Sequence, residues 1–283
     1  MSNIDGHPVS IFGDVRISGL MRKREPFDLV WSKGPLLFTI LFMTCFLVAS
    51  WSPSFAQQPI DDRLRAHVGR LAADTLNGRA AGSMDELGAA LYIMGMLAED
   101  GISTTRLPFM VCPQQGDTLR CHNLSASIGR GADSTIVFCA HYDHLGMGSG
   151  KSKEIVKKCV HPGADDNASG VAVLLELARQ LVQDSTSARF NYLFLFPSAH
   201  EIGLYGSKSV VQSRLLDTLN IRAVINLDMV GRMDAREHRV RVNHCFKGID
   251  FIFNDRAPDA VRITTEDASM ITNDLTIFCE AGL

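Results

Sequence analysis

Three stretches, residues 135–140 (TIVFCA), 192–196 (YLFLF) and 223–227 (AVINL), are apolar almost without interruption. Runs this short and apolar on both faces suit strands in the middle of a sheet that helices cover on both sides. Between them the period changes. From 169 to 182, Val171, Leu174, Leu175, Ala178 and Val182 fall on one helical stripe. The same spacing predicts a helix over 60–73 with Leu64, Val68 and Leu71 on its inner face, another over about 84–99 and a third near 204–213. Two further strands are expected at 104–111 and 122–128, and a turn-like Asn77-Gly78-Arg79-Ala80-Ala81-Gly82-Ser83 separates the first two helices. Strands alternating with helices predict an α/β fold, a three-layer sandwich with a mostly parallel central sheet flanked by helices. Such sheets bind ligands beyond the carboxyl ends of their strands.

A different apolar run, residues 35–48 (PLLFTILFMTCFLV), carries no charge. It follows Arg22, Lys23, Arg24 and Lys33 and precedes Ser54-Phe55-Ala56, the layout of a secretory signal peptide cut after Ala56. The run is shorter than the roughly 20 residues of a membrane span. Residues 1–56 are therefore read as a signal peptide with an over-extended N-terminus ahead of Met21, and residues 57–283 as the folded domain. This places the mature protein in the periplasm or outside the cell, with no stable membrane insertion after cleavage. An uncleaved N-terminal anchor is the alternative.

The chain is 46% hydrophobic and 21% charged, too apolar for a disordered segment. Its net charge is −3 and it has no long basic run, so nucleic acid is not an expected partner. Export permits disulfides. Cys112 and Cys121 flank the turn-rich PQQGDTLR and are the first expected pair, Cys139 ends an apolar strand and is expected as a buried thiol, and the pairing of Cys159, Cys245 and Cys279 stays open. Oligomeric state leaves no signal in the sequence.

Chemistry gathers where the predicted strands end. TIVFCA runs into His141-Tyr142-Asp143-His144-Leu145-Gly146, and PGADDNASG (162–170) opens the next helix. YLFLF is followed by Ser198-Ala199-His200-Glu201, and AVINL by Asp228-Met229. Taken singly, each piece has an ordinary reading. A His after a strand is usually a satisfied polar residue, and paired Asp at a helix start usually caps it. Together, four segment ends deliver imidazole and carboxylate to one sheet edge. These are common ligands of zinc, and a carboxylate can bridge two cations in a hydrolytic site.

The order HYDHLG, PGADDNASG, EIGLYGS, NLDMVGR resembles the zinc-dependent aminopeptidases of the bacterial leucyl aminopeptidase and aminopeptidase Y type, relatives of glutamate carboxypeptidase and the glutaminyl cyclases. The resemblance is first visible in the early stretch DTLNGRAAGS (74–83) and covers about residues 60–283. It implies a zinc exopeptidase-like fold, peptide substrates and two zinc ions in the full-length protein. His141 and Asp228 would hold one ion, Glu201 the other, and Asp166 would bridge them, with a cis peptide bond often following this Asp. Asp143 would orient the His141 imidazole. His144 and His161 also fall near the site and are read as loop or outer residues, with a metal ligand as the other reading of each.

The chain departs from the family's pattern twice. Where the family has a Glu as general base, this chain has His200; imidazole can move a proton near neutral pH, so His200 is the expected base. A substituted, inactive base or a metal ligand is its other reading. The family's last ligand is a His downstream of a segment resembling 272–283, and no His follows His244. The second metal site is thus expected to keep only Glu201 and Asp166, and the domain to be incomplete at its C-terminus. The resulting reading is an exported zinc aminopeptidase that removes N-terminal residues through a co-catalytic metal mechanism. The alternatives are a catalytically impaired metal-binding or scaffolding relative and a glutaminyl cyclase-like acyltransferase.

Overall fold

The computed structural model describes residues 58–113, 117–148, 159–184, 189–233, 236, 239–244, 262–267 and 273–283. All of them belong to the unit Phe55–Leu283. The expected signal peptide lies outside the described residues, and no helix among those described is long and apolar enough to cross a membrane.

Helix α1 (Ile60–Leu71) leads through a 3-10 turn at Asp74–Leu76 to α2 (Met84–Glu99). Ser83 caps α2, its Oγ accepting from Glu86 N, while the Glu86 carboxylate turns back to accept from Gly82 N. Strands β1 (Thr104–Val111), β2 (Leu119–Ile128) and β3 (Thr135–Cys139) follow. A π-type turn at Ala164–Ser169 then opens α3 (Gly170–Gln183). The order continues β4 (Asn191–Phe196), α4 (Tyr205–Gln212), β5 (Ile221–Asn226), β6 (Arg239–His244), β7 (Arg262–Asp267) and α5 (Asp274–Glu280).

The central sheet has the order β1-β2-β4-β3-β5. Its β3 pairs with β4 and β5 are parallel, but β1–β2 and β2–β4 are antiparallel. The sheet is therefore mixed, and the expectation of a mostly parallel sheet is corrected. The continuous apolar runs mark β4 and β3 inside the sheet, but the third run is β5, half-buried at the edge of the sheet among the described residues, and its expected middle position is corrected. The runs carry no information about the β1–β2 hairpin, which adds its strands to one edge in alternating direction. β6 and β7 form a separate parallel pair.

Side chains alternate across the sheet as the strand period requires. Phe138, Tyr192, Phe194 and Phe196 pack with Leu71, Ile93, Leu97, Leu174 and Leu175 of α1, α2 and α3. Val137, Cys139, Leu193 and Leu195 pack on the other face with Val210 of α4 and Phe278 of α5. Helices on both faces of the sheet make the three layers.

Two local expectations are revised. The most buried residues of α1 are Arg63, His67 and Leu71; of the expected stripe, Leu71 is buried, Val68 is half-buried against the core and Leu64 is half-buried. Arg63 Nε and Nη2 donate to Glu176 Oε2 at 2.8 and 2.6 Å, and His67 Nε2 lies 3.2 Å from Glu176 Oε1. The inner face thus includes a buried ion pair beside the apolar stripe. Cys112 and Cys121 are both free thiols, one exposed and one buried. In the β1–β2 register Cys121 faces Phe109, three positions before Cys112, so the two side chains leave opposite faces of the ribbon. Cys139 is a buried free thiol, as expected, and Cys279 is disulfide-bonded.

Candidate functional site

The β3–β4 ladder continues past both strands, with Ala140 N donating to Leu195 O and Tyr142 N to Pro197 O. That continuation carries His141, Asp143 and His144 up beside Ser198, His200 and Glu201. Beyond β5, Leu227 N still donates to Cys139 O, which sets Asp228 next to His141. The fourth segment, Ala164–Ser169, delivers Asp166, and the Asp166–Asn167 peptide bond is cis. Asn167 ties this turn to the end of β5: its Nδ2 donates to Leu227 O, and its Oδ1 accepts from Gly170 N and Met229 N. Gly170 is required here, because a Cβ would lie 2.4 Å from Asn167 Oδ1 and 2.5 Å from Leu227 O.

All six residues singled out from the sequence, His141, Asp143, Asp166, His200, Glu201 and Asp228, converge at this edge. His141 is fully buried; its Nε2 lies 3.2 Å from Asp166 Oδ1 and 3.7 Å from Asp228 Oδ1, without a hydrogen bond among the described residues. Burial works against a charge on His141, yet Asp143, Asp166 and Asp228 together push its pKa well above the ordinary histidine value. The pocket between these carboxylates thus favours a positive charge. Ligands of one zinc ion, bound at about 2.0–2.2 Å, sit at such separations. Two groups of three donors meet that test, His141, His200 and Asp228 in one and His144, Asp166 and Glu201 in the other, each with its donor atoms within 4.8 Å of one another. Asp166 is close to both.

Asp143 works mainly on the backbone. Its Oδ1 accepts from His200 N at 3.0 Å and its Oδ2 from Glu201 N at 3.2 Å. His141 Nδ1 is 3.2 Å from the Asp143 carbonyl oxygen and 3.7 Å from its carboxylate. The buried Asp143 therefore holds the His200–Glu201 segment as well as the imidazole. The His200 ring stacks on that of His141 with centroids 3.7 Å apart and planes 5° from parallel. Its Nδ1 is 3.0 Å from Asp274 Oδ2, and Asp274 is fully buried at the start of α5. Burial lowers the His200 pKa, but Asp274 more than offsets it and the net shift is upward.

Residues 123–279 match the pattern of peptidase family M28. The chain belongs to that family. The M28 chain is 34% identical over 142 residues to a probable zinc metalloprotease of Pyrenophora teres f. teres, covering 48% of this chain and 26% of that protein. It is 33% identical over 113 residues to leucine aminopeptidase 1 of Blastomyces gilchristii, covering 38% of this chain and 28% of that one. The chain thus spans about a quarter of the length of these two relatives. Among solved structures, a leucine aminopeptidase precursor of Bacteroides thetaiotaomicron superposes with a TM-score of 0.63 at 20% identity, over 78% of this chain and 81% of that one. The glutaminyl cyclase of the same organism superposes with a TM-score of 0.62 at 19% identity, over 78% of this chain and 80% of that one. At such identities the likeness concerns the fold.

Three residues of the M28 chain's site were given no role from the sequence. Arg79, fully buried, donates from Nε to Tyr142 O, from Nη1 to Pro162 O and Leu71 O, and from Nη2 to Gly163 O. It ties the His141–His144 segment to the turn before Asp166; burial lowers its pKa to about 10, against the pull of Asp143, Asp166 and Glu201. Its signal was the Arg within the turn-like NGRAAGS, where a charge would ordinarily face water. Asp274 reads as an ordinary residue of a helix start, next to the cap Asn273. His144 reads as a loop residue, although it stands 2.7 Å from Glu201 through its Nδ1.

Proposed function

We propose that this protein is a zinc-dependent aminopeptidase. The observation that carries the reading is the pair of adjoining donor groups, His141, His200 and Asp228 in one and His144, Asp166 and Glu201 in the other, with the His200 ring stacked on that of His141. His141 and Asp228 would hold one zinc ion, Glu201 the other, and Asp166, near both groups, would bridge. When bound, zinc polarises the scissile carbonyl and acidifies the attacking water.

The protein's own residues do the rest. His200 accepts the water's proton at Nε2, since Nδ1 is committed to Asp274, and passes it to the leaving amine. Asp274 keeps that tautomer and supports the imidazolium as it forms. Asp143 holds the backbone of His200 and Glu201, so that the base and the neighbouring carboxylate keep a common frame. Asp166 and Asp228 are partly exposed, at 34% and 21%, so the donor groups open toward solvent and a peptide could reach them. A free α-amino group held there would limit cleavage to the first peptide bond. Export belongs to the same reading and rests on the N-terminal apolar run; N-terminal sequencing of the mature protein is expected to begin at Gln57.

The test is hydrolysis of aminoacyl p-nitroanilides and of short peptides with free or acetylated amino ends. Activity is expected on free ends only, lost with chelator and restored by zinc. Equal cleavage of acetylated peptides would overturn the aminopeptidase reading, and no hydrolysis by the zinc-loaded protein would favour a binding or scaffolding role.

A further inference from the structure

We infer that His144 is the third protein ligand of the second zinc ion, together with Asp166 and Glu201. The inference rests on the two-ion reading above and deepens it. In the fold, His144 Nδ1, Asp166 and Glu201 lie with their donor atoms all within 4.8 Å, the complement that a catalytic zinc site takes, three protein ligands with a position left for water or substrate.

His144 and Glu201 meet through atoms that each could offer a cation. The atoms are 2.7 Å apart, yet His144 Nδ1 has no hydrogen bond among the described residues. Ring nitrogen and carboxylate oxygen are close without the geometry of a hydrogen bond, and Asp166 offers the third donor atom of the same group.

His144 is also built into place. Its backbone N donates to Arg79 O at 3.0 Å, and His144 pairs as an isolated bridge with Ala80. Its ring lies against Gly163, whose φ is 59°. A Cβ on Gly163 would come within 2.5 Å of His144 Cγ and 2.5 Å of Asp166 O. The glycine therefore sets both the ring and the turn that presents Asp166. Arg79 holds this turn from behind through Pro162 O and Gly163 O, so one buried guanidinium positions two of the three ligands. At 9% exposure, His144 has little access to water that could serve in place of a ligand interaction.

Zinc titration of the purified protein by calorimetry, with metal content measured after dialysis, tests the inference without reference to activity. The wild type is expected to bind two ions. His144→Ala is expected to keep one and to weaken the other by more than the ~10–100-fold that loss of an outer partner of a ligand costs. His144→Asp, which restores a donor, is expected to recover part of the second affinity. Anomalous scattering at the zinc edge in wild-type crystals checks the same point with no variant: an ion is expected about 2.0–2.1 Å from His144 Nδ1. Two ions bound unchanged by His144→Ala, or an anomalous peak away from His144, would overturn the role of His144 and leave the aminopeptidase reading standing. Failure of the wild type to take up any zinc would overturn both.

Discussion

His200 and Asp274 stand 74 positions apart in the chain and meet at 3.0 Å, imidazole Nδ1 to carboxylate Oδ2. Asp274 reaches this place because α5 packs on the same sheet face as α4, whose neighbouring loop carries His200. Burial would raise a carboxyl pKa, but His200 lowers that of Asp274, and Asp274 raises that of His200. Each keeps the other's charge inside the fold. The pair gives the imidazole what a Glu base does not need, a fixed tautomer and a counter-charge.

Asp274→Asn separates these functions. The amide keeps the size of the side chain and removes its charge, so His200 loses its orientation and its support as an imidazolium. In the proposed mechanism kcat falls, by up to the ~10²–10⁴-fold that a general base contributes, with KM and zinc content little changed. Steady-state kinetics on an aminoacyl p-nitroanilide with parallel metal analysis make the measurement. Loss of zinc with kcat per bound ion preserved would instead make His200 a ligand.

Removing zinc is expected to destabilise the protein as well as to silence it. His141, Asp143, Asp166, Glu201 and Asp228 crowd one edge, and a cation relieves the mutual repulsion of their carboxylates. A ligand that binds only the folded state adds about 2.7 kcal/mol per site at 100 times its Kd. Thermal unfolding should therefore shift upward with added zinc and downward with chelator. A Tm indifferent to both would show that this cluster holds no ion in the folded protein.

Strands β3, β4 and β5 and the helices between them were legible because their signals are local, although β5 stands at the sheet's edge among the described residues rather than in its middle. Continuous apolar runs marked β3, β4 and β5, and one stripe marked α3, each to within a few residues. The direction of β2 was not, since it depends on which strand it finds as a neighbour. Among site residues, His141, Asp166, Glu201 and Asp228 were legible because each follows a strand or opens a helix in a motif. Asp274, Arg79 and His144 were not: their roles come from contacts across the fold, and the sequence read Arg79 as part of a turn, His144 as a loop or outer residue and Asp274 as nothing in particular. The inner face of α1 was legible only in part, for a related reason. Arg63 and His67 look solvent-facing until Glu176 is placed opposite them.

That buried cluster makes its own prediction. Glu176 is 3% exposed and answers Arg63, His67 and, at 4.0 Å, Arg179. Glu176→Ala leaves a guanidinium in the α1–α3 interface without its carboxylate. Loss of one partner of a buried pair typically costs about 3–5 kcal/mol. Urea unfolding is expected to show a loss in that range, with a double change of Arg63 and Glu176 to Met recovering much of it. A loss below roughly 1 kcal/mol, the scale of an exposed pair, would mean that α1 shifts to hydrate Arg63.

Glu86 sets a pH dependence that can be separated from catalysis. It lies 3% exposed beneath the site, accepting from Gly82 N and contacting Ser198 Oγ through its other oxygen. Burial, with Asp143 adding to it, raises its pKa from the ordinary 4.5 to about 8. The folded state therefore holds a proton that the unfolded chain has already released between those two values. Stability attributable to Glu86 is complete below the lower value and declines as pH rises through the window, by up to ~1.4 kcal/mol per pH unit. Above the higher value both states are ionised and the decline stops. Glu86→Gln keeps the shape and removes the titration, so the difference in unfolding free energy between variant and wild type should grow in the variant's favour from pH 5 to 8 and then level. Parallel stability curves for the two proteins across that range would show that Glu86 is already ionised in the fold.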